Sequence, residues 1–383
     1  MKQRIYLDNS ATTRVDERVI EAMLPCFREN FGNASSVHLF GQEARAIVET
    51  ARRSVAELIG ADTREIVFTS GGTESDNTAL WGIFDGPRNH IITTKIEHPA
   101  ILATCKALES AGAEVTYVTV DSSGRVDPAA VEAAVRDNTI LISVMHANNE
   151  TGIVQPVAEI SQIARQLGIL THTDAVQSVG KIPADVRELG VDLLSMSGHK
   201  IHGPKGVGVL YIRKGVKMAP FMTGGSHERK RRAGTENVPA IAGLGAAARL
   251  AAERMPEMRT RVAGLRDRLE SQALARIAGG RVNGSSPRLP NITNLSFENL
   301  DGEAAVIALD LEGIAVSTGS ACSSGALEPS HVLTAMGLRP EVVQSSLRFS
   351  LSCHNSEEEI DRTVQLLETV IQRLRRLSHR VRG

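Results

Sequence analysis

The 383-residue sequence contains few cysteines, and none of them form a Cys-x-x-Cys pair. Cys26, Cys105, Cys322 and Cys353 are widely spaced along the chain. This spacing argues against a disulfide framework or a zinc knuckle, and it favours a reducing cytosol. Each cysteine must therefore be considered as a candidate reactive thiol.

The sequence also lacks long apolar runs and an excess of charge of one sign. No apolar segment is long enough to span a bilayer, and the N-terminus has neither the apolar region nor the cleavage site of a signal peptide. The 43 Lys and Arg residues against 44 Asp and Glu give a net charge of −1. We therefore expect a cytoplasmic protein with no membrane partner and no direct nucleic-acid partner.

The two common nucleotide-binding fingerprints are absent. In Gly198–Lys205 a proline, Pro204, occupies the lysine position of a P-loop, and no G-x-G-x-x-G is completed after Gly206. A third glycine-rich stretch, Thr69–Asn77, runs from a predicted strand through a Gly pair into a predicted helix. Backbone N–H groups and the helix dipole would meet there, which is typical either of a phosphate site or of an ordinary capped helix.

The first two thirds of the chain alternate short apolar runs with amphipathic stretches. This alternation predicts an α/β fold with a mostly parallel seven-stranded sheet flanked by helices. The predicted strands are Glu65–Thr69, His90–Thr94, Val115–Val120, Leu141–Met145, Leu170–Thr173, Leu193–Met196 and Gly208–Ile212. The predicted helices between them are Ala44–Leu58, Glu74–Phe84, Ala129–Val135 and Val157–Leu167.

The last third of the chain predicts a smaller α+β domain. A long helix over Ala240–Leu274, with a break near Pro256, leads out of the large domain. We expect a large domain over residues 15–255, and a small domain formed by residues 1–14 and 256–383. The predicted strands of the small domain are Ile292–Phe297, Ala315–Ser317 and Ser346–Leu351, and its predicted helices are Gly302–Leu311 and Glu357–Leu377.

Polar residues follow five of the predicted parallel strands. Ligands bind beyond the carboxyl ends of such strands, so we expect these residues to converge on one site. They are Ser70–Thr73, Glu97-His98, Asn148-Asn149, Asp174–Gln177 and Ser197–Lys200.

Three of these residues carry chemistry that the pattern leaves open. A partly buried Lys200 would be a nucleophilic amine suited to a carbonyl cofactor, whereas an exposed one would be an ordinary ion-paired loop lysine. Asp174 and Gln177 could clamp a heteroaromatic ring, although Asp174 could equally cap a helix. His98 is either a structural histidine or an acid/base that covers such a ring.

Cys322 differs from the other cysteines in its surroundings. It lies in the Ser- and Gly-rich stretch from about 316 to 332, where little is available to pack against it. A thiol in such a loop is expected to be reactive, whereas Cys26 and Cys105 read as small core residues. We assign no role to Cys353.

Together these motifs resemble the cysteine desulfurase family, NifS/IscS branch, within the class-V aminotransferases, which are fold-type-I enzymes of pyridoxal 5′-phosphate (PLP). The resemblance covers nearly the whole chain, and the long cysteine loop is similar to that of the NifS/IscS branch. It departs from the common pattern at Ser10, Gly198, Ser226-His227 and Cys353. The motifs that carry it beyond those above are Tyr6–Thr13, Phe31–Asn33, His146–Gly152, Arg232–Asn237, Glu328–Leu333 and Ser346–Ser352.

The resemblance implies a role for each matching residue. Lys200, Cys322 and His98 are implied to be catalytic: Lys200 carries the cofactor and moves protons, and Cys322 receives sulfur as a persulfide. Asn149 and Arg348 are implied to bind the substrate. PLP is implied to contact Gly72, Thr73, Asn149, Asp174, Gln177, Ser197, His199 and Lys200, with Thr235 reaching it from the other subunit of a homodimer.

The implied reaction converts L-cysteine to L-alanine and passes sulfur on for iron–sulfur cluster assembly or another thiolation. The implied partners are a sulfur acceptor or an iron–sulfur scaffold protein. No resident metal is implied, although Cys322 could be a transient ligand of an iron–sulfur cluster. Two alternatives stay open: a transaminase or lyase in which Cys322 is incidental, and a PLP-bound scaffold that does not turn over.

Overall fold

The computed structural model describes residues 4–84, 89–318 and 329–382. Its central sheet has seven strands in the order β2-β8-β7-β6-β5-β3-β4. All neighbouring pairs are parallel except those of β8, which runs antiparallel to both of its neighbours. The predicted fold class, an α/β fold with a mostly parallel seven-stranded sheet, is confirmed.

The strands lie close to their predicted positions. Strands β3, β7 and β8 are buried along their whole length, as expected for a sheet covered by helices on both faces. The strands are β1 (Ile5–Tyr6), β2 (Ile66–Thr69), β3 (His90–Thr94), β4 (Glu114–Val118), β5 (Thr139–Ser143), β6 (Leu170–Asp174), β7 (Leu193–Ser197), β8 (Gly208–Ile212), β9 (Gly280–Val282), β10 (Ile292–Phe297), β11 (Ile314–Ala315) and β12 (Ser346–Ser350).

The helices cover the sheet and form most of the C-terminal third. They are α1 (Glu17–Arg28), α2 (Leu39–Leu58), α3 (Gly72–Ile83), α4 (Pro99–Ser110), α5 (Pro128–Ala133), α6 (Val157–Gln166), α7 (Val186–Leu189), α8 (His227–Lys230), α9 (Val238–Glu257), α10 (Ala263–Arg276), α11 (Gly302–Leu311), α12 (His331–Ala335), α13 (Pro340–Gln344) and α14 (Glu357–Arg382).

The predicted break in the long helix lies just after Pro256. Helix α9 continues through Pro256, and a π-helical turn over Met258–Val262 joins it to α10. Proline residues and π-helical turns are both common causes of irregularity in a helix. The chain therefore leaves the large sheet through an irregular helix rather than through a loop.

A second layer contains the rest of the strands. β12, β10 and β9 form an antiparallel sheet, and β1 pairs with β11 in parallel. Their apolar residues share one core with α10, α11 and α14. The division of the chain into residues 15–255 and residues 1–14 with 256–383 stays a prediction. Among the described residues, no helix has the length and apolar character needed to cross a membrane.

Candidate active site

The carboxyl edge of the central sheet carries the predicted polar residues. β6 ends at Asp174, and β7 ends at Ser197, directly before a 3₁₀ turn over Gly198–Lys200. His98 follows β3 and caps α4, where its Nδ1 accepts the Ala100 N–H at 3.1 Å. The edge therefore presents these side chains from the neighbouring strands β7 and β6 and from β3, which β5 separates from β6.

Lys200 is half-buried and contacts the N-terminal segment. Its Nζ donates hydrogen bonds to the carbonyl oxygens of Ser10 and of Ala11, the latter at 2.8 Å. The positive charge of Lys200 lowers the pKa of Asp174 and that of His98, so both side chains lie within its electrostatic reach. The amine of Lys200 therefore lies at the centre of the convergent residues.

Asp174 is a buried carboxylate with an acidic neighbour beneath it. Its Oδ1 accepts the Val176 N–H at 2.9 Å, and burial raises its pKa to about 6 against the lowering effects of Val176 and Lys200. Burial and then Asp174 raise the pKa of Asp76, in α3, well above its ordinary value. When two carboxyl groups are buried next to each other, the state with one negative charge between them is more favourable than the state with both ionised.

His172 lies next to Asp76, with 3.6 Å between its Nε2 and the Asp76 Oδ1. Its ring is held between Ser143 at 2.9 Å and Ser195 at 3.0 Å, and burial lowers its pKa to about 3. The ring is therefore neutral near pH 7. The sequence predicts neither Asp76 nor His172 as a site residue, because each lies within a stretch whose pattern is typical of a buried helix or strand.

The phosphate-binding residues predicted from the glycine motif lie close together. A Cβ on Gly72, the first residue of α3, would lie 3.7 Å from the Ser197 Cβ and would collide with Val176 at 2.8 Å. A Cβ on Gly208, in β8, would lie 2.6 Å from the backbone of Gly71. Glycines therefore let the start of α3 approach the ends of β7 and β8. Thr73, at the same helix start, is exposed.

His199 adds a neutral ring beside this helix start. Its Nδ1 lies 3.1 Å from the Thr12 Oγ1, and burial, with the charges of Lys200, Lys205 and Lys181, lowers its pKa to about 4. Burial, then Lys200 and His331, also lowers the pKa of His98 to about 4. Both rings are therefore uncharged near pH 7.

Gln177 and a second lysine lie on the other side of Asp174. The Gln177 Nε2 donates to the Ser10 carbonyl at 2.9 Å, and its Oε1 accepts from the Lys181 Nζ at 3.2 Å. Lys181 is buried, and burial, with the charge of Lys200, lowers its pKa to about 7. Lys181 is not predicted from the sequence, because a single lysine outside any motif is typical of a surface residue.

Arg348, in β12, comes to the site from the second layer. Its Nη2 lies 2.7 Å from the Asp8 Oδ1, and its Nη1 donates to the Asn149 carbonyl at 3.1 Å. It is 2% exposed, and its Nε has no partner among the described residues. The Asn149 backbone and the Arg348 side chain, both predicted to bind substrate, are thus in contact.

Cys322 lies outside the described residues, but both flanks of its segment are described. On one side, Ser317 pairs with Arg348, with 3.2 Å from the Ser317 N to the Arg348 carbonyl. On the other, the Ser330 Oγ donates to Glu150 at 2.5 Å, and the His331 Nε2 donates to the Glu97 carbonyl at 2.9 Å. Both flanks are therefore attached to walls of this site.

Thr235 lies near the start of α3 in its own chain. It is exposed, and it lines a cavity of about 180 Å³ together with Ser70, Arg232 and Asn237. Arg232 is fixed there by Glu74, with 2.8 Å between the Arg232 Nε and the Glu74 Oε1. The Thr235 side chain is therefore open to solvent in the single chain.

Comparison with known proteins identifies the family. The aminotransferase class-V family description matches residues 5–363. A protein named cysteine desulfurase IscS, from Methanosarcina thermophila, is 51% identical over 98% of this chain and 93% of its own length. Another cysteine desulfurase IscS, from Dictyoglomus turgidum, is 50% identical over 99% of this chain and 97% of its own length. A solved structure described as a NifS-like protein is 41% identical, with a TM-score of 0.91, and the match covers 97% of this chain and 100% of that one.

The chain belongs to the cysteine desulfurases of the class-V aminotransferase family. The predicted membership of the NifS/IscS branch is confirmed. Cys26 and Cys105 have the core positions expected of them, at 4% and 0% exposure, and burial raises the pKa of the Cys105 thiol to about 12. In this desulfurase neither thiol has the exposure that a reactive cysteine needs.

The N-terminal segment Asp8–Thr13 is the main part of the site that the sequence analysis did not explain. It contacts Lys200, Gln177, His199 and Arg348 through Ser10, Ala11, Thr12 and Asp8. The available signal was its presence among the motifs of the resemblance. Without a structure, nothing in the segment itself indicates that it contacts Arg348, 340 positions further along the chain.

Proposed function

We propose that this cysteine desulfurase binds PLP through Lys200, converts L-cysteine to L-alanine, and transfers the sulfur to Cys322 as a persulfide. One observation carries the proposal. The segment that contains Cys322 begins beside Arg348 and ends beside Glu97 and Glu150, all of which border the Lys200 site. Both described flanks of the Cys322 segment are therefore held by residues around the Lys200 amine.

The residues of the site fit PLP. The start of α3 with Ser197 and His199 offers N–H and side-chain donors for a phosphate. Asp174 is a buried carboxyl that a protonated ring nitrogen would satisfy, and Gln177 and Asn149 offer amides for the ring hydroxyl. When bound, PLP supplies an electron sink for bond breaking at the substrate Cα and Cβ.

Around the cofactor, Lys200 and His98 would hold and move protons. Because the His98 Nδ1 accepts a backbone N–H, the proton of its neutral ring lies on Nε2. Neutral imidazole is the form that can give or take a proton near pH 7. The Lys200 amine, held by backbone carbonyls, would return a proton to the substrate carbon once sulfur has left.

Arg348 would bind the substrate carboxylate in a bidentate manner. Its buried Nε, which has no partner among the described residues, would supply one of the two donors that a bidentate contact needs. Asp8 holds the guanidinium in place when no substrate is present. This arrangement orients an amino acid with its amine toward Lys200.

The sulfur step balances without an external oxidant. The Cys322 thiolate attacks the substrate sulfur, the carbon–sulfur bond breaks, and the electron pair stays on the substrate carbon, which then takes a proton. L-cysteine and Cys322–SH thus give L-alanine and Cys322–S–SH. Four residue steps separate Cys322 from Thr318, a chain reach of at most ~14 Å, which limits the distance over which this proposal has the thiol carry sulfur.

A homodimer is part of the proposal. Phe31, Val37 and Phe40 are 69%, 89% and 51% exposed, which is unusual for apolar residues in a lone chain. The Phe31 and Phe40 rings stack at 5.5 Å, and the same region borders a cavity of about 470 Å³ with Glu236, next to Thr235. A second copy covering this surface would bring its Thr235 to the phosphate of the first. The measurement is the molar mass in solution.

The remaining assignments extend the same reasoning. The described cysteines, Cys26, Cys105 and Cys353, are free thiols, which supports a reducing cytoplasm as the location. A persulfide on a loop serves a protein acceptor, so we propose a sulfur-carrier or iron–sulfur scaffold protein as the partner and iron–sulfur cluster assembly as the use of the sulfur.

The decisive experiment is mass spectrometry of the protein after exposure to L-cysteine. We expect a gain of about 32 Da, one sulfur atom, on the peptide that contains Cys322, in parallel with alanine release. Cys322→Ala should keep the absorbance of bound PLP and give no persulfide, whereas Lys200→Ala should lose that absorbance. Sulfide release from Cys322→Ala at the wild-type rate would favour a lyase or transaminase, and PLP binding without alanine would favour a scaffold.

A further inference from the structure

Two histidines and a cysteine outside the proposed machinery come together behind Lys200. His202 follows the Lys200 turn, and Cys353 and His354 follow β12. One ligand atom from each of the three side chains lies within 4.8 Å of the others. His202 and Cys353 also line a small cavity of about 30 Å³ that Lys200 borders. We propose that His202, Cys353 and His354 form a Zn²⁺ site that joins the Lys200 turn to the loop after β12.

The His202 ring is oriented as metal-binding histidines are. Its Nδ1 donates to the Arg14 carbonyl at 2.9 Å, which leaves the lone pair on Nε2 for a metal. A hydrogen bond from the other ring nitrogen to a backbone carbonyl is the usual support of such a ligand. The backbone of His202 is held in the left-handed region, at φ 64°, by bonds to Thr13 and Asp16. A strained non-glycine residue fixed in this way indicates a functional constraint.

The loop that carries the other two ligands is also held in place. Arg261 donates to the carbonyls of Cys353 and Asn355, and the Asn355 Oδ1 accepts the Ser352 N–H at 2.9 Å. The His202 and His354 rings meet edge to face with centroids 5.0 Å apart. His354 is exposed and Cys353 half-buried, so a metal can enter from solvent.

The geometry needs only a small contraction to hold zinc. Tetrahedral Zn²⁺ with bonds of ~2.0–2.1 Å to nitrogen and ~2.3 Å to sulfur places its ligands ~3.3–3.7 Å apart. Side-chain rotation of the exposed His354 supplies the roughly 1 Å that the present spacing requires. Three protein ligands leave one position for water.

Burial, the largest effect, raises the pKa of the Cys353 thiol, whereas the charges of Arg254 and Arg261 lower it, so a metal must displace a proton. The Arg254 Nη1 lies 3.6 Å from the Cys353 Sγ, and Arg254 is itself paired with Asp16 at 2.7 Å. Zn²⁺ binding would release the thiol proton to solvent and form a zinc–sulfur bond. A thiolate with two imidazoles selects Zn²⁺ over Mg²⁺ and Ca²⁺, which prefer oxygen ligands.

The test uses the full-length, PLP-loaded Cys322→Ser protein, so that the loop thiol cannot bind the metal. Calorimetric titration with ZnCl₂ should give one Zn²⁺ per chain, and adding Cys353→Ser or His354→Gln should weaken binding by at least the ~10–100-fold that even an outer partner contributes. The midpoint of thermal unfolding should rise with zinc concentration in the parent and not in either variant. MgCl₂ should give neither effect.

Replacement of the metal supplies an independent readout. Co²⁺ should give the visible d–d bands of a tetrahedral site, and Cys353→Ser should weaken and shift them. Because His354 is exposed, His354→Gln should keep the metal-free unfolding midpoint. Equal zinc affinity in the parent and in both variants, or no binding once Cys322 is replaced, would overturn the proposal.

Discussion

The Arg348 Nη2 and the Asp8 Oδ1 lie 2.7 Å apart, although 340 residues separate them in the chain. This pair links β12 to the segment whose carbonyls hold the Lys200 amine. Arg348 is nearly inaccessible, so Asp8 supplies the negative charge that a buried guanidinium needs. A substrate carboxylate would approach a guanidinium that is already oriented.

Replacing Arg348 should change substrate binding more than turnover. Arg348→Lys removes the planar fork, and we expect KM for L-cysteine to rise by ~10–100-fold, as for the loss of a charged hydrogen bond of ~1.5–3 kcal/mol. Asp8→Asn is the matched variant, because it removes the competing charge and should lower KM. Steady-state kinetics with L-cysteine measure both, and an unchanged KM in Arg348→Lys would contradict the assignment.

Neutralising Asp174 should reduce the activity strongly, whereas neutralising the adjacent Asp76 should change it little. Asp174→Asn removes the charge opposite the ring nitrogen, and we expect alanine production to fall by ~10²–10⁴-fold, as when a buried pair worth ~3–5 kcal/mol is broken. Asp76→Asn should keep most of the activity, since burial and Asp174 already favour its protonated form. The PLP absorbance spectrum as a function of pH should shift in Asp174→Asn. Equal losses in the two variants would contradict this distinction.

Glu97 should make the protein less stable as the pH rises. Burial raises the pKa of this carboxyl to about 8, against the lowering effects of its bonds from Thr94 at 2.6 Å and Met145 at 3.0 Å. Between pH ~4.5 and ~8 the folded state keeps a proton that the unfolded state loses, so stability falls by up to ~1.4 kcal/mol per pH unit.

Glu97→Gln removes this dependence. We expect the variant to match the wild type near pH 5 and to become more stable than it toward pH 8. The difference between their urea unfolding curves across this range isolates Glu97 from the other buried groups. A difference that does not change with pH would show that Glu97 is ionised in the folded protein.

The close approach of Gly208 to Gly71 should be intolerant of a methyl group. Gly208→Ala would place a Cβ 2.6 Å from the Gly71 backbone, and we expect a loss of ~1–3 kcal/mol of stability together with weaker PLP binding. Gly264→Ala, in α10 with nothing within 4 Å, is the control and should gain ~0.5–1 kcal/mol. Unfolding curves and PLP titrations of both variants provide the test. Unchanged PLP binding in Gly208→Ala would show that the close approach of β8 to Gly71 does not shape the phosphate site.

Much of the site could be predicted from strand ends. The predicted strands His90–Thr94 and Gly208–Ile212 have the bounds that the structure gives. Asp174 and Ser197 are the last residues of their strands, one residue inside the predicted position, and His98 lies after β3 as expected. Apolar periodicity and glycine positions are local properties, so they can be read without knowing the fold. The residues that escaped prediction, Asp76, His172 and Lys181, have ordinary local patterns, and only their neighbours from other elements set them apart.

The sequence by itself determined the order of strands and helices, the α/β class, and which polar groups stand at one edge of the sheet. These follow from hydrophobic period and turn chemistry, which act over a few residues. Only the tertiary structure decided that Asp8 pairs with Arg348, that Lys200 rests on the carbonyls of Ser10 and Ala11, and that His202 meets Cys353. Such contacts depend on how distant layers pack, and burial then sets the pKa of each group that they enclose.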